Sequence, residues 1–479
     1  MITKPLFSND VKNKPLILLG HLSFFILFIF SILFFRERIL FSDSAFQFFK
    51  LINYEHINIE AHRYGAILPQ LPVLLAIKFG AGLKSLTIIY SLSFVLLYYL
   101  IFIICTHLLK NIQAGLAVIL VLTLCVSQSF YHPVTETHQS LVYTVLLYAI
   151  LEHKEFRISK IQYVLAIVLI AISFFAHPVA LYTSLFIIGY VSIDKNEIRT
   201  IKPYILLGVT GSLALGKVLL TNENSYEGQF FSELMKSPSL ILNLPKEPGT
   251  LFFITRLKSL YLWFVILELI LIVDLIYNRK FLKLIWQLAI VSGFLVITFL
   301  TYHKGDSTVL MERAFMPLAL FVSIPLLKET LAEDKNYFMP KLSILGVVIL
   351  IGILRLYQQG ESFKKRTEFN IELLTKTAQY SNRKFIVQHS KLEKHVTTFW
   401  SNSFETLILS TITDGIPPQT IYPSDNPEAL TKYTTEAGSV FLGATFWLEW
   451  NITDLNQKYF HLPTDVPYKI IDIEDMNLK

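Results

Sequence analysis

Long apolar runs separated by short, often basic connectors dominate this chain. They fall at 15–35, 84–109, 112–130, 135–151, 161–175, 179–193, 204–220, 260–276, 284–302, 309–327 and 342–357. Most approach the ~20 residues a helix needs to cross a bilayer, which predicts about eleven transmembrane helices. The run at 66–79 stands apart. It would reach only roughly 21 Å as a helix, short of a ~30 Å hydrocarbon core. It also contains Pro69 and Pro72. It is expected to form a juxtamembrane or re-entrant piece.

Two spans need their polar flanks to reach full length. The run 140–151 is too short alone, so its helix must begin near Pro133 or Thr135, placing Glu136 and His138 in the first turn. The run 314–327 must likewise begin near Val309, carrying Glu312 and Arg313 to the membrane edge. Ionisable groups at such depth are costly and usually functional.

Past residue 357 the pattern becomes that of a soluble protein. KFIVQ, SVFLGATFW and YKIIDI read as short strands, ETLILSTI is ambiguous, and IPPQTIYP and DNPE read as turns. The predicted architecture is an α-helical polytopic membrane protein. Residues 1–357 form the transmembrane module, with a first loop at 36–83 that holds juxtamembrane helices. Residues 358–479 form a small α/β domain.

Composition agrees. The 479 residues are 53% hydrophobic and 16% charged, and mean hydropathy is +0.51, outside the range of soluble domains. The formal charge of +6 is a topological signal rather than a sign of nucleic-acid binding. Lys4, Lys12 and Lys14 precede the first span. Lys110, the Lys154/Arg157/Lys160, Lys195/Arg199/Lys202 and Arg279/Lys280/Lys283 groups, and Lys328/Lys335/Lys341 fall in alternate loops. With a cytoplasmic N-terminus these all lie inside, as the positive-inside rule requires. Counting 66–79 as a span would destroy that pattern. The first run ends in Arg36 and Glu37 without a small-residue cleavage site, so it reads as an uncleaved span. Cys105 and Cys125, both within apolar runs, read as small hydrophobes.

This orientation gathers chemistry at one face: the 36–83 loop, YHPVTETHQ, His177, the 221–250 segment, HKGDSTVLMER and the C-terminal domain all point outward. In SDSAFQFFKLI the apolar residues recur at helical spacing, which predicts a helix lying along the interface, aromatic side toward lipid. Asp43 at its start reads as a helix cap, or as a carboxylate that accepts an acceptor's proton or holds a metal. Arg63 and the adjacent His62 lie in HRYGAILPQLP. Arg63 reads as a snorkelling cation or as a phosphate ligand with a planar fork of donors. Glu312 and Arg313 read as a local ion pair or as contacts to an anionic head group. His132, Glu136, His138, His303 and Asp306 are candidate cavity-lining groups; their spacing matches no specific zinc motif, and a divalent cation is an open option. Trp447 and Trp450 suit core packing better than sugar stacking. Glu268, deep in a span, has no evident role.

The layout resembles the GT-C superfamily of polyprenyl-phosphate-dependent glycosyltransferases, on Ser42-Asp43-Ser44 and the architecture of the whole chain. Asp43 is followed by Ser44, where many of that group carry a second acidic residue. The resemblance implies a first outer loop with an acidic residue near its start and an extracytoplasmic C-terminal domain. It also implies an inverting transfer of sugar from a polyprenyl-phosphate donor to a lipid, glycan or protein acceptor, at a membrane such as the bacterial inner membrane. Arg313, by analogy with late-loop arginines of that group, would hold the donor phosphate. The alternatives are a transporter or flippase for a lipid-linked sugar, and a polymerase or ligase acting on a polyprenyl-diphosphate glycan.

Overall fold

A computed structural model describes residues 8–60, 63–153, 160–220, 243–331, 338–396, 398–436, 438–444 and 447–476. His62, the basic positions Lys4, Lys154, Arg157 and Lys335, and most of the 221–250 segment lie outside the described residues.

Helices occupy all eleven apolar runs. Six are long and apolar enough to cross a membrane: Lys14–Leu33, Leu83–Leu108, Pro248–Tyr277, Phe281–Thr301, Thr308–Glu329 and Leu342–Thr377. Others are shorter, among them Ile112–Thr123, Lys160–Ala176 and Ala180–Asp194. This is a helical membrane protein. The run at 66–79 contains the 12-residue helix Ile67–Lys78, whose Gln70 side chain exchanges two hydrogen bonds with the backbone of Asn58 (2.8 and 2.7 Å).

Three elements differ from expectation. The helix predicted over 112–130 stops at Thr123. Cys125 takes a left-handed φ of 59°, and the chain folds back into the bundle as a short 3-10 turn, Gln128–Tyr131. The last span does not end at 357 but continues as one helix, Phe338–Thr377. Its extension buries Arg366, Thr367, Phe369, Asn370, Leu373, Leu374 and Thr377. That is a helical stripe, obscured in the sequence because four of its seven members are polar. Finally, helix Asp43–Tyr54 does not lie with its aromatic side in lipid. Phe48 stacks on Tyr90 of the bundle, while Phe49 meets Phe404, Phe441, Trp450 and Phe460 from the C-terminal region. A helix apolar on both faces is buried from both sides.

After residue 377, β1 (Lys384–Gln388), β2 (Thr420–Ser424) and β5 (Lys469–Ile471) form a parallel sheet in the order β2-β1-β5. β3 (Val440–Ala444) and β4 (Trp447–Asn451) pair antiparallel. ETLILSTI falls in the helix Asn402–Ile412, which packs between the sheet and helix Asp43–Tyr54. Trp450 belongs to this aromatic core; the side chain of Trp447 is outside the described residues.

At the bundle end remote from Asp43, Lys283 bridges Asp194 and Glu329, Lys280 joins Glu329, and Lys328 joins Glu152 and Asp194. These cations and carboxylates compensate one another. Glu268 is buried against Gln287, whose Nε2 donates to both carboxylate oxygens (3.0 and 2.9 Å) and to Phe321 O (3.1 Å). Within the bilayer a polar group is held by such contacts between helices, so Glu268 gains a packing role.

Candidate functional site

Asp43 opens its helix immediately after a sharp turn at Ser42. The N-cap position belongs to Ser42, and no side chain caps the helix. The carboxylate turns instead toward His132, whose Nε2 lies 3.4 Å from Asp43 Oδ2. The side chain keeps 47% of its surface open. Burial pushes the Asp43 carboxyl up. The contact with His132 and the nearby Arg313 and Arg63 guanidinium groups outweigh this and hold it well below the usual carboxylate range. Burial and Arg313 push the His132 imidazole down, partly offset by Asp43. His132 is therefore a neutral donor to an ionised Asp43.

The 3-10 turn and the start of helix Glu136–Glu152 bring His132 and Glu136 to the same cleft. Glu136, almost fully buried, accepts from Arg63 Nη1 at 3.3 Å. Arg63 arrives from the loop ahead of the short helix at 67–78, and Gly65 allows the approach. A Cβ at Gly65 would fall 3.0 Å from Ala176 Cβ and 3.2 Å from its Cα, and closer still to Gln139 Oε1. We expect Gly65→Ala to displace the Arg63 loop, lowering the affinity for an anionic ligand about tenfold, an effect of ~1.4 kcal/mol. Titration of a phosphate lipid onto wild type and variant measures this.

Arg313 lies in the helix Thr308–Phe315, just before the Met316–Pro317 break. Its neighbouring carboxylates are Asp43 and Glu136. Among the described residues its side chain makes no hydrogen bond or ion pair, and its Nε is buried without an acceptor. Arg63 has Glu136 and Asp43 has His132, whereas the Arg313 side chain has no hydrogen-bond partner of its own among the described residues. The cleft thus combines an ionised carboxylate with a cation able to take an anion.

The other sequence candidates separate from this cleft. Among the described residues, Glu312 forms no ion pair with Arg313. Its oxygens accept from the backbone N–H groups of Ser127, Gln128 and Ser129 at 2.8–2.9 Å. It anchors the turn that carries His132. Glu312→Ala should lower stability by about 3–5 kcal/mol, since three donors lose a charged acceptor. Thermal unfolding in detergent checks this: a loss of ligand binding with unchanged Tm would instead restore Glu312 as a ligand. His138 is buried away from Asp43, lining a small cavity with Arg38 and Tyr98. His303 Nδ1 contacts Leu300 O at 3.0 Å. Exposed Asp306 accepts from its neighbour's backbone, Ser307 N, at 2.6 Å. His177 Nδ1 accepts from Val179 N at 3.2 Å, a local helix-start contact. Among the described residues, no three His, Cys, Asp or Glu side chains gather in a way that could hold a metal ion.

Sequence reading missed two groups near the cleft. Gln139 is buried with neither amide end hydrogen-bonded; its only sequence signal was its place one turn after Glu136. Arg38 is fully buried and donates to Ser91 Oγ (2.9 Å), Ser91 O (3.3 Å) and Phe130 O (2.5 Å). It lay hidden in the charged stretch FRER at the end of the first span.

Compared with known protein families, curated proteins and solved structures, the chain matches none.

Proposed function

We propose that the protein is an integral-membrane glycosyltransferase that moves a sugar from a polyprenyl-phosphate donor to an acceptor at the outer face of the membrane. The observation that carries the reading is the pairing, in one cleft, of the ionised Asp43 with the unpartnered Arg313. A guanidinium whose buried Nε has no acceptor is costly, and a phosphate is the ligand its fork fits best. In this reading the chain crosses the membrane about eleven times with its N-terminus in the cytoplasm, following the positive-inside rule. Residues 358–479 lie outside and take part in binding the lipid, glycan or protein acceptor.

In the reaction, the acceptor hydroxyl attacks C1 of the sugar from the face opposite the phosphate. The C1–O bond to phosphate breaks, and its electron pair leaves with the polyprenyl phosphate, whose charge Arg313 stabilises. The hydroxyl proton passes to Asp43, and the anomeric centre inverts. A carboxylate held below the usual range is a weak base, so Asp43 orients the hydroxyl early and takes the proton late, as the new bond makes it acidic.

This assigns a pH profile. A depressed carboxyl pKa means Asp43 stays ionised below the ordinary value of about 3.9. Its stabilising contribution is present above that value and lost as pH falls through the folded-state pKa. The His132 imidazole is shifted down by burial and by Arg313. With Asp43 as the acceptor, transfer should therefore show no acid limb between pH 7 and about pH 5; an acid limb inside that range would show that a group other than Asp43 takes the reacting proton.

Binding tests the reading directly. Purified protein should bind a polyprenyl monophosphate, and Arg313→Ala should not. Equal binding by both would remove Arg313 from the donor site. A transporter for a lipid-linked sugar would also need an anion site. The need for a carboxylate beside it favours transfer.

A further inference from the structure

The backbone that presents Asp43 is bent in a way its sequence resists. Ser42 has φ 48° and ψ −130°, and Ser44 N donates to Phe41 O at 3.1 Å. This is a type II′ turn with serine where glycine is favoured. Strained backbone of this kind persists only where its surroundings over-determine it.

Those surroundings come from the distant end of the chain. Ser42 N donates to Glu405 Oε1 at 3.0 Å, and Trp400 Nε1 donates to Ser42 Oγ at 3.0 Å. Glu405 is fully buried, also accepts from Ser401 Oγ at 2.6 Å, and pairs with Arg366 Nη2 at 2.5 Å. Arg366 in turn donates to Leu40 O at 3.1 Å and lies over the Phe41 ring, 5.2 Å from its centroid. Leu40, Phe41 and Ser42 are thus each held by side chains more than 320 positions later in sequence. A buried ion pair is weak evidence of stabilisation for its own sake. Here the two partners act on the three residues ahead of the carboxylate.

We infer that Trp400, Glu405 and Arg366 are positioning residues, which hold the Ser42 turn so that Asp43 faces His132 and the open cleft. The inference rests on the transferase reading above, because Asp43 is the group being aimed. It also explains how a region placed beyond the membrane part governs chemistry inside the cleft.

The test is a set of full-length variants, Trp400→Phe and Glu405→Gln, each made alone and in a Ser42→Gly background. Trp400→Phe keeps an aromatic ring beside Phe46 and removes the N–H together with part of the ring volume. It should lower kcat for transfer three- to tenfold, leave the donor KM unchanged, and lower kcat less once Ser42→Gly has removed the hydroxyl. Glu405→Gln keeps an acceptor for Ser42 N–H but lacks the charge that holds Arg366. Its kcat loss should shrink in the glycine background, where the turn no longer needs enforcing. Equal losses in both backgrounds, or losses that track Tm, would overturn the inference. If wild type transfers no sugar, the transferase reading fails on its own. Amide exchange then judges the clamp: faster exchange of the Ser42 N–H in Glu405→Gln supports it, and unchanged exchange refutes it.

Discussion

Arg313→Ala is expected to reduce transfer by a factor of about 10²–10³, the usual cost of losing one preorganised group that stabilises developing charge. The loss should appear in both donor affinity and kcat, because the guanidinium binds the phosphate and then stabilises it as a leaving group. Stability should change little. The Arg313 side chain makes no hydrogen bond or ion pair among the described residues, and its Nε is buried without an acceptor. Its removal breaks no such bond, and relief of a desolvated charge offsets the lost attraction to Asp43 and Glu136, so Tm should hold. A structural arginine would behave oppositely: Arg38, with its three hydrogen bonds to Ser91 and Phe130, should unfold the protein when truncated. Comparing Tm and transfer for the two alanine variants separates a ligand-binding cation from a packing one.

Asp43→Asn should cut kcat by a factor of about 10²–10⁴, the range for removing a positioned proton acceptor. Asparagine keeps the size of the side chain and can still accept from His132, so folding should be preserved. Donor affinity should stay the same or improve slightly, because a negative charge near the phosphate has gone. The combination of lost turnover and intact donor binding is the signature of an interaction made in the transition state. Full activity in this variant would return Asp43 to a structural role and move attention to Glu136, the other cleft carboxylate.

Much of the helical layout could be read from the chain because its cause is local. An uninterrupted apolar run can satisfy its backbone in lipid only by forming a helix, and helices stand at each such run. The elements that escaped were decided by distant contacts. Helix 112–123 stops early because the following residues fold back onto Glu312, more than 180 positions away. The amphipathic pattern of 43–54 signalled a helix, but one aromatic face could not reveal that the other would be covered by Phe404, Phe441 and Phe460. Arg366 and Glu405 looked like ordinary charges of a soluble domain, because nothing local marks a pair destined to be buried.

The same division holds for the cleft. Asp43, Arg63, His132, Glu136 and Arg313 stood out as ionisable groups beside apolar runs, where charge is expensive. Glu312 stood out for the same reason, yet its carboxylate serves backbone amides. Depth at the membrane edge identifies a residue with a task. Only the partner shows which task, and the partner is a matter of tertiary geometry.

The most direct measurement is sugar transfer by the purified wild-type protein in lipid vesicles, supplied with a panel of radiolabelled polyprenyl-phosphate sugars and candidate acceptors. The account predicts label moving from donor to acceptor with inversion, and loss of that transfer in Asp43→Asn. Label that stays on its lipid while crossing from one leaflet to the other, unaffected by Asp43→Asn, would contradict it and identify a transporter.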